Sequence, residues 1–433
     1  MHEIDWLETH AHKVSASLRR LVLALHGAPM PLPAAAVPLW LQAWLRVASL
    51  DLIVRGPAEE ALEDVHAAVA RARGRMRRAF PRFGAAHVRV PARGLPALLE
   101  HEAITYVTLN YPVRTALDTA VPTVAAPRLW DRSFTGRNVT IGIVDTGVWP
   151  HVDLTQPRHR ILAFHDLVGG RHHPYDDNGH GTHVAGDAAG NGQASGGRFR
   201  GPAPDARLVC VKALDRHGSG TAARILEGID WLLAHRERYN IRVISLSLGA
   251  PADARAEDPL VAAVERAWRE GVVVCAAAGN DGPQEGSITT PGVAPSIVTV
   301  GASDDRSTLD PSDDVVAIFS GRGPAPRGVP KPDLVAPGVA VTSLRAPGAR
   351  LGAGGAAGRG YVTLSGTSMA TPIVAGVVAQ LLEAVPDALP DEVKSALLGS
   401  ARDLGAPREA QGHGCADAAA ALDALRRLRA ARV

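Results

Sequence analysis

The 433-residue sequence has little cysteine, few aromatic residues and almost no net charge. Its three cysteines, Cys210, Cys275 and Cys415, are too few and too scattered for a disulfide framework or a zinc site. Lysine and arginine total 46 against 44 for aspartate and glutamate, and this balance argues against a nucleic-acid partner. No apolar run reaches the length of about 18 to 20 residues that spans a bilayer, so we expect no membrane partner. The 46% hydrophobic content is that of a globular protein.

A secretory signal is also not evident near the N-terminus. Arg19 and Arg20 precede an apolar run at residues 21–25, which His26 ends. A signal core needs about 7 to 15 apolar residues behind a basic start, whereas this one follows Glu3 and Asp5. We interpret the run as one face of a helix and expect a cytoplasmic protein. Secretion by an unrecognised route is the alternative.

The patterning divides the chain into three segments. Residues 1–50 are predicted to be a helical extension, residues 51–115 a small α+β domain and residues 116–433 a large α/β domain. In the middle segment, strands are predicted at 51–55, 86–90 and 104–110, and helices at 58–73 and 95–102. The predicted order is therefore β-α-β-α-β. The run of basic residues at 71–78 is interpreted as a solvated helix end, and not as a nucleic-acid patch.

Short, almost continuous runs of Val, Ile and Ala alternate with helical patterns in the third segment. Such runs are typical of strands buried on both faces. The runs are residues 139–145, 208–214, 243–249, 272–280 and 297–302, and the helices are 221–238, 258–270, 371–388 and 416–430. This alternation predicts an α/β fold, a doubly wound and mostly parallel sheet with helices on both faces. Residues 303–365 are predicted to be loops with short strands.

Four polar residues stand beside glycines at predicted strand ends or helix starts: Asp145, His180, Asn280 and Ser368. Each also has a structural explanation, because Asp145 and Asn280 suit turns, Ser368 suits a helix cap and His180 suits a satisfied buried imidazole. The spacing of His180 and His183 also occurs in metal sites, but no third ligand is evident. Together, the order Asp, His, Ser supplies the parts of a nucleophilic triad.

The motifs around these residues resemble those of the subtilisin-like serine proteases (subtilases, peptidase family S8) over about residues 127–421. They are Asp145-Thr146-Gly147, His180-Gly181-Thr182-His183 and Gly366-Thr367-Ser368-Met369-Ala370-Thr371-Pro372. Residues 176–179 and 201–204 and the long N-terminal region look most like the AprX-type cytoplasmic subtilases. The resemblance implies a subtilisin-like fold and a serine endopeptidase that is made as a zymogen.

The resemblance also implies roles for individual residues. Ser368 would be the nucleophile, His180 the general base, Asp145 its orienting partner and Asn280 the side-chain donor to the oxyanion. Two backbone edges, Ser247-Leu248-Gly249 and Gly218-Ser219-Gly220, would bind the substrate, and Ala276, Ala277 and Ala278 would wall its first specificity pocket. These segments contain no charged residue, so we expect an apolar or aromatic residue before the scissile bond and broad tolerance elsewhere.

The middle segment resembles the family's ferredoxin-like inhibitory propeptide. We therefore expect the protein's own propeptide to act as an intramolecular inhibitor, with self-cleavage between Asn110 and Ala126. Two other functions stay open as alternatives. An esterase would use the same triad, and a catalytically silent homologue would act as a binding or chaperone module, although none of the four site residues is lost.

The proposed chemistry requires no cofactor, but a structural calcium ion is an open alternative. Many subtilases carry a calcium loop after the helix that bears the catalytic histidine, and here residues 191–200 contain no acidic side chain. Asp153 matches one family calcium ligand and is equally interpretable as a surface aspartate. Cys275, five residues before Asn280, is interpreted as a small buried apolar residue.

Overall fold

A computed structural model describes residues 7, 9–14, 18, 49–57, 62–80, 85–109, 117–252, 258–351 and 360–431. The chain divides into two compact units, Met1–Val113 and Arg114–Val433. Most of the predicted helical extension lies outside the described residues, and its described part includes the 3₁₀ turn Ala11–Lys13. Leu7, Val14 and Leu18 belong to the same apolar core as the rest of the first unit. The three-segment division stays a prediction.

In its described residues, the first unit has a four-stranded antiparallel sheet and two α-helices. Its strands follow the order β2-β3-β1-β4, with β1 paired to both β3 and β4. The elements are β1 Ser49–Arg55, α1 Leu62–Arg71, β2 Arg75–Phe80, β3 Ala85–Pro91, α2 Leu95–Leu99 and β4 Tyr106–Leu109. The order β-α-β-β-α-β and this strand arrangement are those of a ferredoxin-like fold.

The predicted β-α-β-α-β order was wrong by one strand. Residues 75–78, which the sequence pattern assigns to a solvated helix end, lie in the edge strand β2, where Arg75 pairs with Arg89 of β3. Alternation is visible in β1, whose side chains at 50, 52 and 54 are buried while 49, 51 and 55 are exposed. In β2 the basic side chains interrupt the alternation of apolar and polar residues that would predict a strand. Residues 58–61 of the predicted helix lie outside the described residues.

The second unit is the predicted α/β domain. Its strands are β5 Thr140–Asp145, β6 Ile161–Asp166, β7 Arg207–Lys212, β8 Ile241–Leu246, β9 Val273–Ala277, β10 Val298–Asp304, β11 Val315–Val316, β12 Leu334–Pro337, β13 Val341–Leu344 and β14 Tyr361–Leu364. Its helices are α3 Leu117–Thr123, α4 Pro127–Trp130, α5 Val152–Thr155, α6 His180–Ala189, α7 Ala222–Ala234, α8 Arg236–Tyr239, α9 Pro259–Arg269, α10 Thr367–Ala384, α11 Pro390–Ser400, α12 Arg408–Gln411 and α13 Ala418–Ala430.

The central sheet has the strand order β11-β10-β9-β8-β5-β7-β6, with β12 also paired to β10. All of these pairs are parallel except β10 with β11. Every residue of β5 is buried, so both faces of the sheet are covered. The chain leaves β5 first toward β7 and β6 and later toward β8. The carboxyl end of β5 is therefore a topological switch point, where ligands bind in open α/β sheets.

Helix α10 begins at Thr367, four residues earlier than predicted, so Ser368 lies in its first turn. This helix packs on α6 and on strands β8, β9 and β10. It is also long and apolar enough to cross a membrane by length and composition alone, although no continuous apolar run was predicted to do so. Because 83% of it is buried inside the protein, it has the character of a core helix.

Candidate active site

Asp145 and His180 meet at the carboxyl end of β5. His180 begins helix α6, and its Nδ1 lies 2.8 Å from Oδ1 and 3.0 Å from Oδ2 of Asp145. The Asp145 carboxylate is almost completely buried and also accepts the backbone N–H of Thr146 at 2.7 Å. Burial lowers the pKa of His180, but the nearby Asp145 charge and hydrogen bond outweigh it, so the net pKa is raised above its ordinary value.

A second buried acid, Asp176, fixes the position of His180. Its Oδ1 accepts the Thr146 hydroxyl at 3.0 Å and the Gly179 N–H at 2.8 Å, and its Oδ2 accepts both the N–H and hydroxyl of Thr182. The Asp176 carboxylate thus connects the start of α6 by hydrogen bonds to the turn that follows Asp145. A Cβ at Gly181 would lie 2.1 Å from the carbonyl oxygen of Gly147, so only glycine allows this approach. Asp176 belongs to the motif at residues 176–179, but the sequence pattern indicates no role for it.

Ser368 and Asn280 meet at the start of α10. The Asn280 Oδ1 accepts the Thr367 N–H at 2.9 Å and the Thr367 hydroxyl at 3.0 Å, which fixes the orientation of the amide. Its Nδ2 makes no hydrogen bond in the described part of the chain. A methyl group built at Gly366 would stand 3.5 Å from that Nδ2 and 3.6 Å from the Ser368 backbone nitrogen. The two nitrogens therefore border the same small space.

A cleft of about 560 Å³ contains both Ser368 and His180 in its lining. The Ser368 hydroxyl donates to the Ser247 carbonyl at 3.1 Å, and the described hydrogen bonds include none between Ser368 and His180. Catalytic hydrogen bonds are often long in free enzymes and tighten when substrate binds. The predicted substrate-binding residues line the same cleft: Gly218, Ser219, Gly220, Ser247, Leu248 and Gly249.

Ala276, Ala277 and Ala278 are buried and are not among the described residues that line this cleft, so their place in the wall of the first specificity pocket stays a prediction. The apolar part of its wall comes from larger side chains, Leu214, Ile225, Leu248 and Leu260. The alanines belong to β9 and the residue that follows it, where strand packing buries them.

Comparison with known proteins decides the family. The subtilase family model (peptidase S8) matches residues 136–414. The chain belongs to the subtilase family. Serine protease AprX of Bacillus subtilis (strain 168) is 46% identical over 75% of this chain and 76% of its own length. Subtilisin DY of Bacillus licheniformis is 34% identical over 66% of this chain and 91% of its own. This subtilase is therefore a serine-type endopeptidase that acts on peptide or protein substrates.

One positioning residue of this subtilase was missed by sequence reasoning. Lys212, at the end of β7, is fully buried, and its Nζ donates to Thr146 O at 2.6 Å, Asp177 Oδ1 at 2.8 Å and Leu214 O at 3.1 Å. It thereby links the turn after Asp145, the loop before His180 and the loop that leads to residues 218–220. A lysine at the end of a continuous apolar run was the available signal, since a buried charge requires partners.

The residues around Asp153 do not fit the calcium ion that many subtilases carry. Asp153 is fully buried, so the surface interpretation was wrong. Its Oδ1 accepts the Ala194 N–H at 2.8 Å, and its Oδ2 accepts the Tyr361 hydroxyl at 2.7 Å. Calcium needs six to eight oxygen ligands, whereas these oxygens already face N–H and O–H donors of the protein.

A protein cation also binds the backbone carbonyls of this region. Arg160 Nη1 donates to Ala189 O at 2.7 Å and to Ala206 O at 2.9 Å, and its Nη2 donates to Asp153 O. Burial lowers the pKa of Arg160 to about 10, which leaves the guanidinium charged at neutral pH. Arg160 thus supplies positive charge to carbonyl oxygens beside the loop 191–200.

The metal alternative for His180 and His183 is not supported. His183 Nδ1 lies 2.8 Å from Asp187 Oδ2, and its Nε2 lies 3.2 Å from the carbonyl oxygens of Val341 and Val362. Both nitrogens of His183 thus have protein partners. Among the described residues, no group of three His, Cys, Asp or Glu side chains could hold a metal ion. The three cysteines are free and buried, as interpreted for Cys275.

Proposed function

We propose that this subtilase hydrolyses peptide bonds through Asp145, His180 and Ser368, with Asn280 as a side-chain donor to the oxyanion. One observation carries the proposal: the His180 ring is held 2.8 Å from the buried Asp145 carboxylate and lines the same cleft as Ser368. If Ser368 were only a helix cap and His180 only a hydrogen-bonded core histidine, the two side chains would not need to line the same cleft. The chemistry requires no cofactor.

In the proposed mechanism, His180 Nε2 takes the hydroxyl proton of Ser368 as the oxygen attacks the scissile carbonyl carbon. The imidazolium then gives that proton to the leaving amine, and an acyl-enzyme forms. A water molecule then attacks the acyl-enzyme by the same steps, and the carboxylic acid product is released. Asp145 stays ionised throughout, because its role is to orient Nδ1–H and to stabilise the imidazolium. The raised pKa of His180 makes it a stronger base but requires a higher pH for its neutral form.

The oxyanion would lie between Asn280 Nδ2 and the backbone N–H of Ser368. Both donors are fixed before substrate binds, because Thr367 holds the Asn280 amide and α10 holds the Ser368 backbone. Preorganised donors stabilise developing charge without a reorganisation cost. The positive end of the helix macrodipole at the start of α10 adds to this potential.

A peptide substrate would bind in an extended conformation between residues 218–220 and residues 247–249. Added strands gain main-chain hydrogen bonds, and pockets select alternate side chains. The apolar cleft wall of Leu214, Ile225, Leu248 and Leu260 favours an apolar or aromatic residue before the scissile bond. Chromogenic peptides that end in Phe or Leu should be cleaved faster than those that end in Glu or Arg. Equal or reversed rates would contradict this preference.

Hydrolysis of casein by the purified protein tests the proposed activity. A serine-directed inhibitor should abolish turnover, and Ser368→Ala should lower kcat by about 10⁶-fold, a magnitude known from a subtilisin. Ser312→Ala is the matched control, because Ser312 is an exposed loop serine. Full activity of Ser368→Ala, or turnover of activated esters without casein hydrolysis, would contradict the proposal.

The first unit is proposed to be an inhibitory propeptide that self-cleavage separates from the catalytic unit. Its ferredoxin-like strand order supports this role, since the family's propeptides are of that kind. Of the cleavage window 110–126, residues 117–123 form helix α3. A helical segment cannot bind as an extended strand, and residues 124–126 are buried. We therefore place the cleaved bond within residues 110–116, which lie outside the described residues.

Mass spectrometry of freshly expressed protein tests the processing. The wild-type chain should lose about 110 to 116 residues from its N-terminus, whereas Ser368→Ala should keep its full mass and Ser312→Ala should be processed normally. Processing of Ser368→Ala in the absence of other proteases would contradict self-cleavage by Ser368.

We also propose that the protein acts in the cytoplasm. The support is the motif resemblance to AprX-type subtilases at residues 176–179 and 201–204. Fractionation of cells that express the untagged chain tests this location. Recovery mainly in the culture medium without cell lysis would contradict it and would favour export by an unrecognised route.

A further inference from the structure

Three basic side chains contact one another at the edge of the active-site cleft. Arg216 Nε donates to His217 Nε2 at 3.0 Å, and Arg350 Nη1 lies 3.3 Å from the other ring nitrogen, His217 Nδ1. All three residues are exposed. His217 lines the cleft together with His180 and Ser368, and it immediately precedes Gly218. We call Arg216, His217 and Arg350 the basic cluster.

In the part of the chain that the structure describes, no carboxylate forms an ion pair with the basic cluster. Neither arginine forms an ion pair with any residue of the described ranges. Asp215, in the same turn, points its Oδ1 at the backbone N–H groups of His217 and Ser219, at 2.8 and 3.1 Å. Asp177, whose backbone carbonyl accepts the Arg350 N–H, directs its side chain to Lys212. Two guanidinium groups thus contact the same imidazole ring, and neither has a carboxylate partner among the described residues.

Among the described residues that line the cleft, none has an acidic side chain that could neutralise this charge. Its titratable lining residues are His180 and His217. A guanidinium binds a carboxylate through two parallel N–H donors, which makes arginine pairs effective at recognising acidic side chains. Unpaired charges around a cleft also attract substrates of opposite sign and repel those of the same sign.

We propose that the basic cluster is a carboxylate-binding subsite, which selects an Asp or Glu within four residues upstream of the scissile bond. This inference rests on the proposed function, in which the upstream part of the peptide lies against residues 218–220. Side chains of an extended peptide alternate in direction, so particular positions face the cluster. The uncharged binding segments predict broad tolerance for substrate side chains away from the scissile bond. The two arginines lie outside those segments and would restrict this tolerance at the substrate positions that face them.

Fluorogenic peptides that differ at one position test the inference. Each set has Phe before the scissile bond and Glu, Gln or Lys two, three or four residues upstream. The wild-type protein should cleave the best Glu peptide about twofold to fivefold faster than its Gln partner in kcat/KM at low salt, and the Lys peptide more slowly. In 1 M salt the Glu-to-Gln ratio should approach one, because the Debye length falls to about 3 Å.

The double variant Arg216→Gln, Arg350→Gln should lower the Glu-to-Gln ratio toward one. Arg158→Gln is the matched control, because Arg158 is exposed and outside the cleft and its replacement removes the same kind of charge. Equal rates for Glu and Gln peptides in the wild type, or a preference that survives in the double variant, would overturn the subsite but not the protease activity. No turnover of any peptide would instead contradict the proposed function and this inference with it.

Discussion

Gly366→Ala would place a methyl group in front of the two proposed oxyanion donors. The added Cβ would lie 3.5 Å from Asn280 Nδ2 and 3.6 Å from the Ser368 nitrogen, and its next contact is Asn280 Oδ1 at 3.7 Å. All three distances are ordinary van der Waals contacts. The substitution should therefore leave the fold intact while it fills space that the reaction needs.

The expected loss follows from the donor geometry. An oxyanion must lie about 2.7 to 3.1 Å from each donor, so it competes with the methyl group for the space that both border. Loss of one such donor lowers kcat by about 10² to 10³, a magnitude measured in a subtilisin. We expect Gly366→Ala to lower kcat by at least about 10²-fold, or about 2.7 kcal/mol of transition-state stabilisation. KM should change little, because the ground-state carbonyl needs the donors less.

Steady-state cleavage of a Phe peptide, with active sites counted by a serine-directed inhibitor, measures both constants. Gly399→Ala is the matched control, because Gly399 lies in helix α11 with no atom within 4 Å of its added Cβ. That control should keep wild-type kcat and gain about 0.5 to 1 kcal/mol from helix propensity. Wild-type kcat in a folded Gly366→Ala variant would refute the placement of the oxyanion beside Gly366.

Further predictions concern the pH profile, the residues that position the site, metal and stability. The rising limb of kcat/KM against pH should have an apparent pKa above 6.5, because the pKa of His180 is raised and only its neutral form is a base. Asp145→Asn should lower kcat by about 10⁴-fold. Lys212→Met should lower kcat per active site by about 10-fold to 10²-fold through displaced loops, with partial recovery in Lys212→Arg, and unchanged kcat would contradict its positioning role. Removal of calcium with EDTA should leave Tm unchanged, whereas Tyr361→Phe should cost about 1 to 3 kcal/mol, because it leaves a buried Asp153 oxygen without its donor. A calcium-dependent Tm would contradict the first expectation and a wild-type Tm in Tyr361→Phe the second.

The buried strands of the α/β domain were predictable from sequence because a parallel sheet covered on both faces needs nearly continuous apolar runs. β5 was expected at 139–145 and found at Thr140–Asp145. The candidate residues were predictable for a related reason, since polar residues directly after such runs must lie at the carboxyl edge of the sheet. Boundaries were less accurate, and the predicted 272–280 strand ends at Ala277.

Two edge strands escaped prediction, and both have the same cause. β2, at one end of the small sheet, carries Arg75, Arg77 and Arg78, and β6 ends the large sheet with only its first and last residues buried. An edge strand is only partly covered, so its side chains need not alternate between apolar and polar. Its existence is decided by backbone pairing with a neighbour that is distant in sequence.

The family, the order of the motifs and the alternation of strands and helices were predictable from the amino-acid sequence, because each depends on residues that lie close together along the chain. Tertiary structure alone decided the rest. Only folding brings Lys212 to Thr146 and Asp177, Tyr361 and Ala194 to Asp153, and Arg350 to His217. These contacts join residues that are far apart in sequence. Whether a charged side chain forms a hydrogen bond or an ion pair depends on such long-range contacts and not on the local sequence pattern.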